Sequence, residues 1–280
     1  ANLLAENNNF ALELTIDDLE GIPTTARELA REKARELGKS DRFVFTLHKP
    51  SLIPFLTYSK RRDLRERIYK AYLNRCSNGD QYDNRQLIND FVRLRAEKAR
   101  LLGYPSYAAY VTADEMAGTP EAVYALLDEI WTPALKRAQG ELAEMEALFK
   151  QDHPDGEFAS WDWWYYAEKL RRKNYALDEE MLTPYFSLEN VQSGVFFLAN
   201  RLYGITFRPL AVPVYHPDVT AYEVLDADES HLGVLYFDYF PREGKSQGAW
   251  CGNYVEQRYD DNGERVAPVV SIVANFTRPT

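Results

Sequence analysis

Two cysteines in 280 residues, Cys76 and Cys251, are too few and too far apart for a disulfide framework, and neither belongs to a C-x-x-C pair. They read as free thiols, which leans toward a reducing compartment. Histidine is equally scarce. His48, His153, His216 and His231 stand far apart, no two share a helix face, and H-E-x-x-H is absent. Metal sites need His, Cys, Asp or Glu converging at short range, so each histidine reads as a loop or surface residue. His231 is the one left open to a site assembled by folding. No apolar run reaches the ~18 residues that a membrane-crossing helix requires. The opening stretch Ala1–Asn9 (ANLLAENNN) has neither the basic end nor the apolar stretch of a signal peptide, and it lacks an initiator methionine. The expectation is a processed piece or part of a longer chain. Its compartment is expected to be the cytoplasm, with the periplasm as the alternative.

Basic residues are in deficit. Lys and Arg number 33 against 43 Asp and Glu, for a net charge of -10. An anionic nucleic-acid backbone would be repelled on average, so nucleic acid is not expected as a partner. The one basic run, Lys60 to Arg67 (KRRDLRER), is interrupted by acids and reads as the solvated face of a helix. Other signatures are missing or broken. Gly244-Lys245-Ser246 looks like the end of a phosphate loop, but Tyr239 stands where that loop needs glycine, and a basic turn between strands is the preferred reading. Neither G-x-G-x-x-G nor G-x-S-x-G occurs. Carboxylate pairs such as Glu179-Glu180 belong at helix starts, where they offset the dipole. No internal repeat or low-complexity linker is present.

What the chain does hold is a core-forming composition. Hydrophobic residues make up 45% and aromatics 14%, including 19 Tyr and 5 Trp, which excludes disorder and fits one large domain or two ordinary ones. The first two-thirds read as helix. Pro23 to Gly38 opens on proline with a Thr25-x-x-Glu28 capping box and stops at glycine. Phe43 to Leu47 is a short strand ended by Lys49-Pro50. Asp63 to Asn74 and Asn84 to Leu102 are amphipathic helices. Thr119 caps, and Pro120 opens, a helix of roughly eight turns whose apolar stripe runs to Leu148, with an interruption expected at Pro133. Trp161 to Asn174 is a further helix. Its Trp161, Trp163, Trp164, Tyr165, Tyr166 cluster could stack sugars, but at helical spacing it is read as sealing a core. Ser187 caps a helix running to Tyr203. After Gly204 the spacing turns to alternation and β-branched residues, with strands at Val219–Leu225, Gly233–Phe240 and Val266–Phe276. Asn262-Gly263 marks a hairpin between Tyr254–Tyr259 and Val266–Phe276. Asn275-Phe276-Thr277 fits a glycosylation sequon, but its strand position argues against modification. The expected architecture is mainly α: a helical region, 1–204, followed by a small antiparallel β-sheet, 205–280.

Four stretches resemble one family. Arg62 to Tyr72 (RDLRERIYKAY) is similar to its R-x-L-R-E-x-x-Y-x-A-Y helix, and Asn84 to Tyr104 (NRQLINDFVRLRAEKARLLGY) to the helix that ends in its LLGY. Leu235 to Lys245 (LYFDYFPREGK) resembles a strand and turn, and Val269 to Pro279 (VVSIVANFTRP) the strand before the zinc helix. Their order and spacing also agree. The family is that of the zinc-dependent oligopeptidases: thimet oligopeptidase, oligopeptidase A and peptidyl-dipeptidase, with the bacterial peptidyl-dipeptidase branch the best fit. The resemblance implies part of a larger, two-lobed, channel-containing metallopeptidase. Its zinc would be held by two His of H-E-F-G-H and a later Glu, with the motif's own Glu activating water. Those positions lie beyond Thr280. No catalytic residue, no metal ligand and no cofactor is therefore expected within this sequence. The expected partners are an oligopeptide substrate of the whole protein and the missing C-terminal half, with self-association of the piece alone. The strand around Val273, Ala274 and Asn275 is the one candidate substrate-lining segment, since exposed strand edges can pair with extended peptide. A purely structural role for that strand stands beside this reading. The alternative for the whole chain is a non-catalytic helical module that binds peptide or carbohydrate.

Overall fold

A computed structural model describes residues 1–176, 179–242, 244–246 and 248–276. The last residues of the fourth matching stretch, 277–279, and Glu243 of the third lie outside them, as does Thr277 of the sequon. The chain forms two compact units, Ala1–Tyr175 and Ala176–Thr280. It is mainly α with one small sheet, and the first strand of that sheet begins at Thr206, inside the second unit.

The first unit contains α1 (Asn2–Asn9), β1 (Leu12–Leu14), α2 (Thr24–Glu36), β2 (Phe43–Phe45), α3 (Lys49–Tyr58), α4 (Arg62–Leu73), α5 (Arg85–Leu101), α6 (Tyr107–Thr112), α7 (Pro120–Asp152) and α8 (Trp163–Tyr175). β1 and β2 form an antiparallel ribbon that pairs Leu12 with Phe45 and Leu14 with Phe43. One side of α2 is alanine at i, i+4 and i+8. Ala26, Ala30 and Ala34 are buried, and side chains this small let the helix lie close on β2. Leu52, Phe55 and Leu56 of α3 and Leu64 and Ile68 of α4 complete this core. The Phe45 and Phe55 rings are 4.7 Å apart. A second core gathers Met145 and Phe149 of α7 with Tyr166 of α8, whose hydroxyl donates to Asp152 at 2.9 Å.

Several expectations meet corrections here. Pro50 does not merely end a strand; it sits in the first turn of α3, where its missing N–H costs nothing. Pro133 does not interrupt α7, which runs unbroken for 33 residues from its Thr119 cap. Thr119 Oγ1 accepts from the Ala122 amide at 3.2 Å. The aromatic cluster divides. Tyr166 is fully buried, whereas Trp163 and Trp164 remain partly exposed. The basic run is also not simply a solvated face. Arg65 is only 1% exposed, because Asp162, itself 0% exposed, supplies the anion. Arg65 Nη2 donates to Asp162 Oδ1 at 2.8 Å and its Nη1 to the Ser59 carbonyl at 2.7 Å. Arg62 Nη2 reaches Asp162 Oδ2 at 2.8 Å, and its guanidinium lies over the Phe149 ring at 5.2 Å.

The second unit contains α9 (Glu179–Leu182), α10 (Leu188–Tyr203), β3 (Thr206–Pro209), β4 (Thr220–Leu225), β5 (His231–Asp238), β6 (Trp250–Val255), β7 (Arg258–Tyr259), β8 (Arg265–Val266) and β9 (Val269–Val273). Ser187 Oγ accepts from the Asn190 amide at 3.3 Å, and α10 stops at Gly204, whose φ of 76° favours glycine. Phe196 of α10 stacks on Phe207 at 4.2 Å. The sheet order is β3-β4-β5-β9-β6. Three of its four pairings are antiparallel, as expected. The fourth, β5 with β9, is parallel, so the sheet is mixed. The expected long strand 266–276 is divided. β7 and β8 close a separate two-stranded hairpin around Asp260–Glu264, and Pro268 then breaks the chain. Proline has no N–H for the ladder, but its carbonyl accepts from Val234 at 3.0 Å and starts the parallel pairing.

The Asp162 knot yields a stability prediction. Removing one partner of a buried pair leaves an uncompensated charge, so Asp162→Ala should cost about 3–5 kcal/mol. Asp162→Leu with Arg65→Met, which removes the two fully buried charges and leaves only the partly exposed Arg62, should cost clearly less. Urea unfolding would measure both. Equal losses would mean that packing alone, and not charge, sets the value of the site.

Candidate functional site

Val273, Ala274 and Asn275 lie at the carboxyl end of β9, and the structure gives each a defined set of partners. Val273 is buried and paired on both sides, with Asp238 of β5 and Trp250 of β6. Ala274 is buried, its amide donating to the Asp238 carbonyl at 2.8 Å. Phe276 continues that ladder, its amide donating to the Tyr239 carbonyl at 2.8 Å. Asn275 Nδ2 donates to the carbonyls of Ser246 at 3.0 Å and Gly248 at 2.7 Å. β9 is thus an interior strand whose backbone is already committed.

A free edge lies one strand over, at β6, while β3 ends the sheet on its other side. Among the described residues, β9 is the only strand partner of β6, so β6 carries unpaired N–H and C=O groups along its outer side. Such a row pairs readily with another extended chain. β6 also bears the exposed side chains of Trp250, Cys251 and Tyr254, and the ladder shifts register between Asn253 and Val255.

Where β5 ends, the sheet is knotted by charge. Asp238 is 2% exposed. Its carboxylate accepts from Arg242 Nη1 at 2.7 Å and Nη2 at 2.9 Å, from Lys245 Nζ at 2.9 Å and from the Tyr215 hydroxyl at 3.0 Å. Burial alone would raise the pKa of this carboxyl, but the bonds from Arg242, Lys245 and Tyr215 outweigh it and hold the group well below the usual carboxylate range. Tyr215 is pushed up, first by burial and then by its bonds to Tyr254 and Asp238.

A family model described as Peptidase family M3 matches residues 55–280. The chain belongs to peptidase family M3. It is 40% identical over 271 residues to the dipeptidyl carboxypeptidase of Salmonella typhimurium, covering 95% of this chain and 39% of that protein. Against the dipeptidyl carboxypeptidase of Escherichia coli it is 40% identical over 282 residues, covering 99% and 41%. Against the oligopeptidase A of Escherichia coli it is 34% identical over 267 residues, covering 94% and 39%. The chain thus spans about two fifths of the length of the curated relatives it matches.

Within this M3 chain, no three His, Cys, Asp or Glu side chains among the described residues are placed to share a metal ion. The histidines have other surroundings. His231 Nδ1 faces Glu223 at 2.9 Å, His216 Nδ1 faces Asp218 at 3.4 Å, and His153 packs on Phe149. Burial, aided by Lys33 and Arg75, lowers the pKa of His48 and disfavours its charged form. No helix among the described residues is long and apolar enough to cross a membrane.

Two features of the site escape a linear reading. Trp250 to Asn253 gives little strand signal because Gly252 dilutes it, and only the pairing with β9 reveals an edge. The Asp238, Arg242, Lys245 triangle sits inside LYFDYFPREGK, so the sequence holds the residues but not their convergence.

The depressed Asp238 carboxyl has a stability consequence with a definite sign. A carboxyl whose pKa is lower folded than unfolded stabilises the fold above its unfolded value, ~3.9, and that contribution is lost as pH falls through the folded value. Asp238→Asn should therefore lower the urea midpoint at pH 7 and flatten its decline between pH 7 and pH 3. Parallel pH profiles for the two proteins would contradict this assignment.

Proposed function

We propose that this chain is part of a zinc-dependent oligopeptidase that releases C-terminal dipeptides from short peptides, and that the outer edge of β6 takes the substrate backbone in extended form. The observation that carries the reading is the membership of family M3. Two of the relatives above are named dipeptidyl carboxypeptidase, which favours dipeptide release over internal cleavage. The edge itself supports peptide capture, because strand addition draws affinity from main-chain bonds and is tolerant of sequence. Val273, Ala274 and Asn275 then serve as the strand that backs β6, one layer behind the peptide.

The residues described here do not fit a catalytic zinc site. In this reading zinc is held by ligands outside the present sequence, and no chemical step is assigned to the residues within it. The remaining length would also cover apolar surface. Leu87, Phe91 and Leu94 of α5, Ile130 and Trp131 of α7, and Phe197 and Leu198 of α10 are exposed, and patches of this kind mark contact surfaces. An exposed free thiol at Cys251 suits a reducing cytoplasm better than the periplasm.

The test uses the whole protein and the 280-residue chain side by side, with an oligopeptide whose products are read by mass spectrometry. The whole protein should bind one zinc and shorten the peptide by two residues at a time from its C-terminus, and a chelator should stop it. The 280-residue chain should leave the peptide intact. An inert whole protein, or turnover by the short chain, would overturn the proposal.

Light scattering adds an independent check. The short chain should self-associate as its concentration rises, and the whole protein should not. A short chain that stays monomeric would mean that the exposed apolar faces are not contact surfaces.

A further inference from the structure

The turn between β5 and β6 contains a lysine that has left the surface. Lys245 is 4% exposed on its side chain. Its ammonium donates to four oxygens: the Asp238 carboxylate at 2.9 Å, the Asp238 carbonyl at 3.0 Å, the Phe240 carbonyl at 2.7 Å and the Ala274 carbonyl at 2.7 Å. An ammonium has three N–H groups, so at least one is shared. These oxygens come from three places: the last residue of β5, the turn, and the chain just past β9. A single buried cation thus joins three segments of the chain through charge-assisted hydrogen bonds.

A second clip runs the opposite way. Asn275, one residue past Ala274, sends its amide back to the Ser246 and Gly248 carbonyls. Lys245 reaches from the turn to the end of β9, and Asn275 reaches from the end of β9 to the turn. Two residues beyond Gly248 the chain enters β6 at Trp250, whose first partner is Val273. From Ser246 up to Trp250, among the described residues, these two carbonyls are held by side-chain hydrogen bonds before the β6–β9 ladder begins. The start of β6 is therefore held from this turn. A slip of one residue there would move every β6 side chain to the other face of the sheet.

We propose that Lys245 and Asn275 are positioning residues that fix the start and register of β6, and through it the backbone edge offered to an extended peptide. The proposal rests on the reading of β6 as the peptide edge. Neither residue needs to touch the substrate. Their task is to hold β6 still, so that its outer N–H and C=O groups are ordered before a peptide arrives and less ordering is left for the binding step.

The experiment has two arms. In the first, hydrogen exchange is read by mass spectrometry on the 280-residue chain and on its Asn275→Leu and Lys245→Met variants. Loss of a clip should speed exchange over 248–252 by about tenfold, the scale of one lost hydrogen bond, and leave β4 as it was. Should Lys245→Met fail to fold, Asn275→Leu decides alone, since its side chain is partly exposed. Wild-type exchange over 248–252 in Asn275→Leu would overturn the clip.

In the second arm the same substitutions are placed in the whole protein and assayed with an N-acetylated tetrapeptide. Positioning predicts KM raised about tenfold with kcat changed less than about twofold, because the edge binds substrate and does not perform chemistry. A fall in kcat at unchanged KM would mean only a loss of folded enzyme and would overturn the positioning role. A wild-type protein that cleaves no tetrapeptide sinks the peptidase reading and the peptide part of this proposal together, while the exchange arm still decides the clip.

Discussion

A buried carboxylate gripped by two cations is the interaction around which each unit is arranged. In the first unit Asp162 accepts from Arg62 and Arg65, and in the second Asp238 accepts from Arg242 and Lys245. Burying any one of these charges alone would be costly. Each is tolerated because its partners arrive with it, and that requirement fixes which parts of the chain must meet. Asp162 lies about a hundred residues from the arginines of α4, so the knot ties α4 to the segment that leads into α8. In the second unit Lys245 reaches 29 residues along the chain to Ala274 and ties the β5–β6 turn to the end of β9. Both knots convert separate helices or strands into a frame of defined geometry.

That frame explains why β9 is an interior strand and β6 an edge. β9 has one neighbour running parallel and one antiparallel, so all of its pairing capacity is used. A parallel neighbour cannot be reached by a tight turn and needs a crossover. The chain between β5 and β9 supplies it, and β6 and the β7–β8 hairpin are formed on the way. β6 is thus a by-product of the crossover in topological terms, and it forms one of the two edges of the sheet, β3 being the other. The candidate residues Val273 and Ala274 act by backing that strand, while Asn275 anchors the turn that feeds it.

Much of the helical plan is legible in the sequence because it is local. Thr119-Pro120 and Ser187 announce α7 and α10 through caps that the structure reproduces atom for atom. The apolar periodicity of α4 and α5 likewise needs no distant partner. What fails is what depends on distance. Arg65 looks solvated in KRRDLRER because nothing nearby reveals Asp162. The parallel pairing is invisible because 30 residues, 239–268, separate the end of β5 at Asp238 from the start of β9 at Val269, and a strand's neighbour is not encoded in its own alternation. Pro133 misleads in the other direction. One lost backbone bond is absorbed by a helix of 33 residues, whereas Pro268 ends a strand, because there its N–H would be needed by a neighbour.

The family resemblance bridges part of this gap by a different route. Its motifs carry long-range information that a single sequence does not display. Arg62 and Arg65 of RDLRER and Asp238 and Lys245 of FDYFPREGK are the residues that form the two knots. The matching stretches are thus more than a label, since they mark where the chain must meet itself. This also explains how a chain with no metal-holding cluster among its described residues can belong to a peptidase family. Over this part of the protein the family's pattern is written in the charges that shape a frame, and the edge of β6 is what that frame presents.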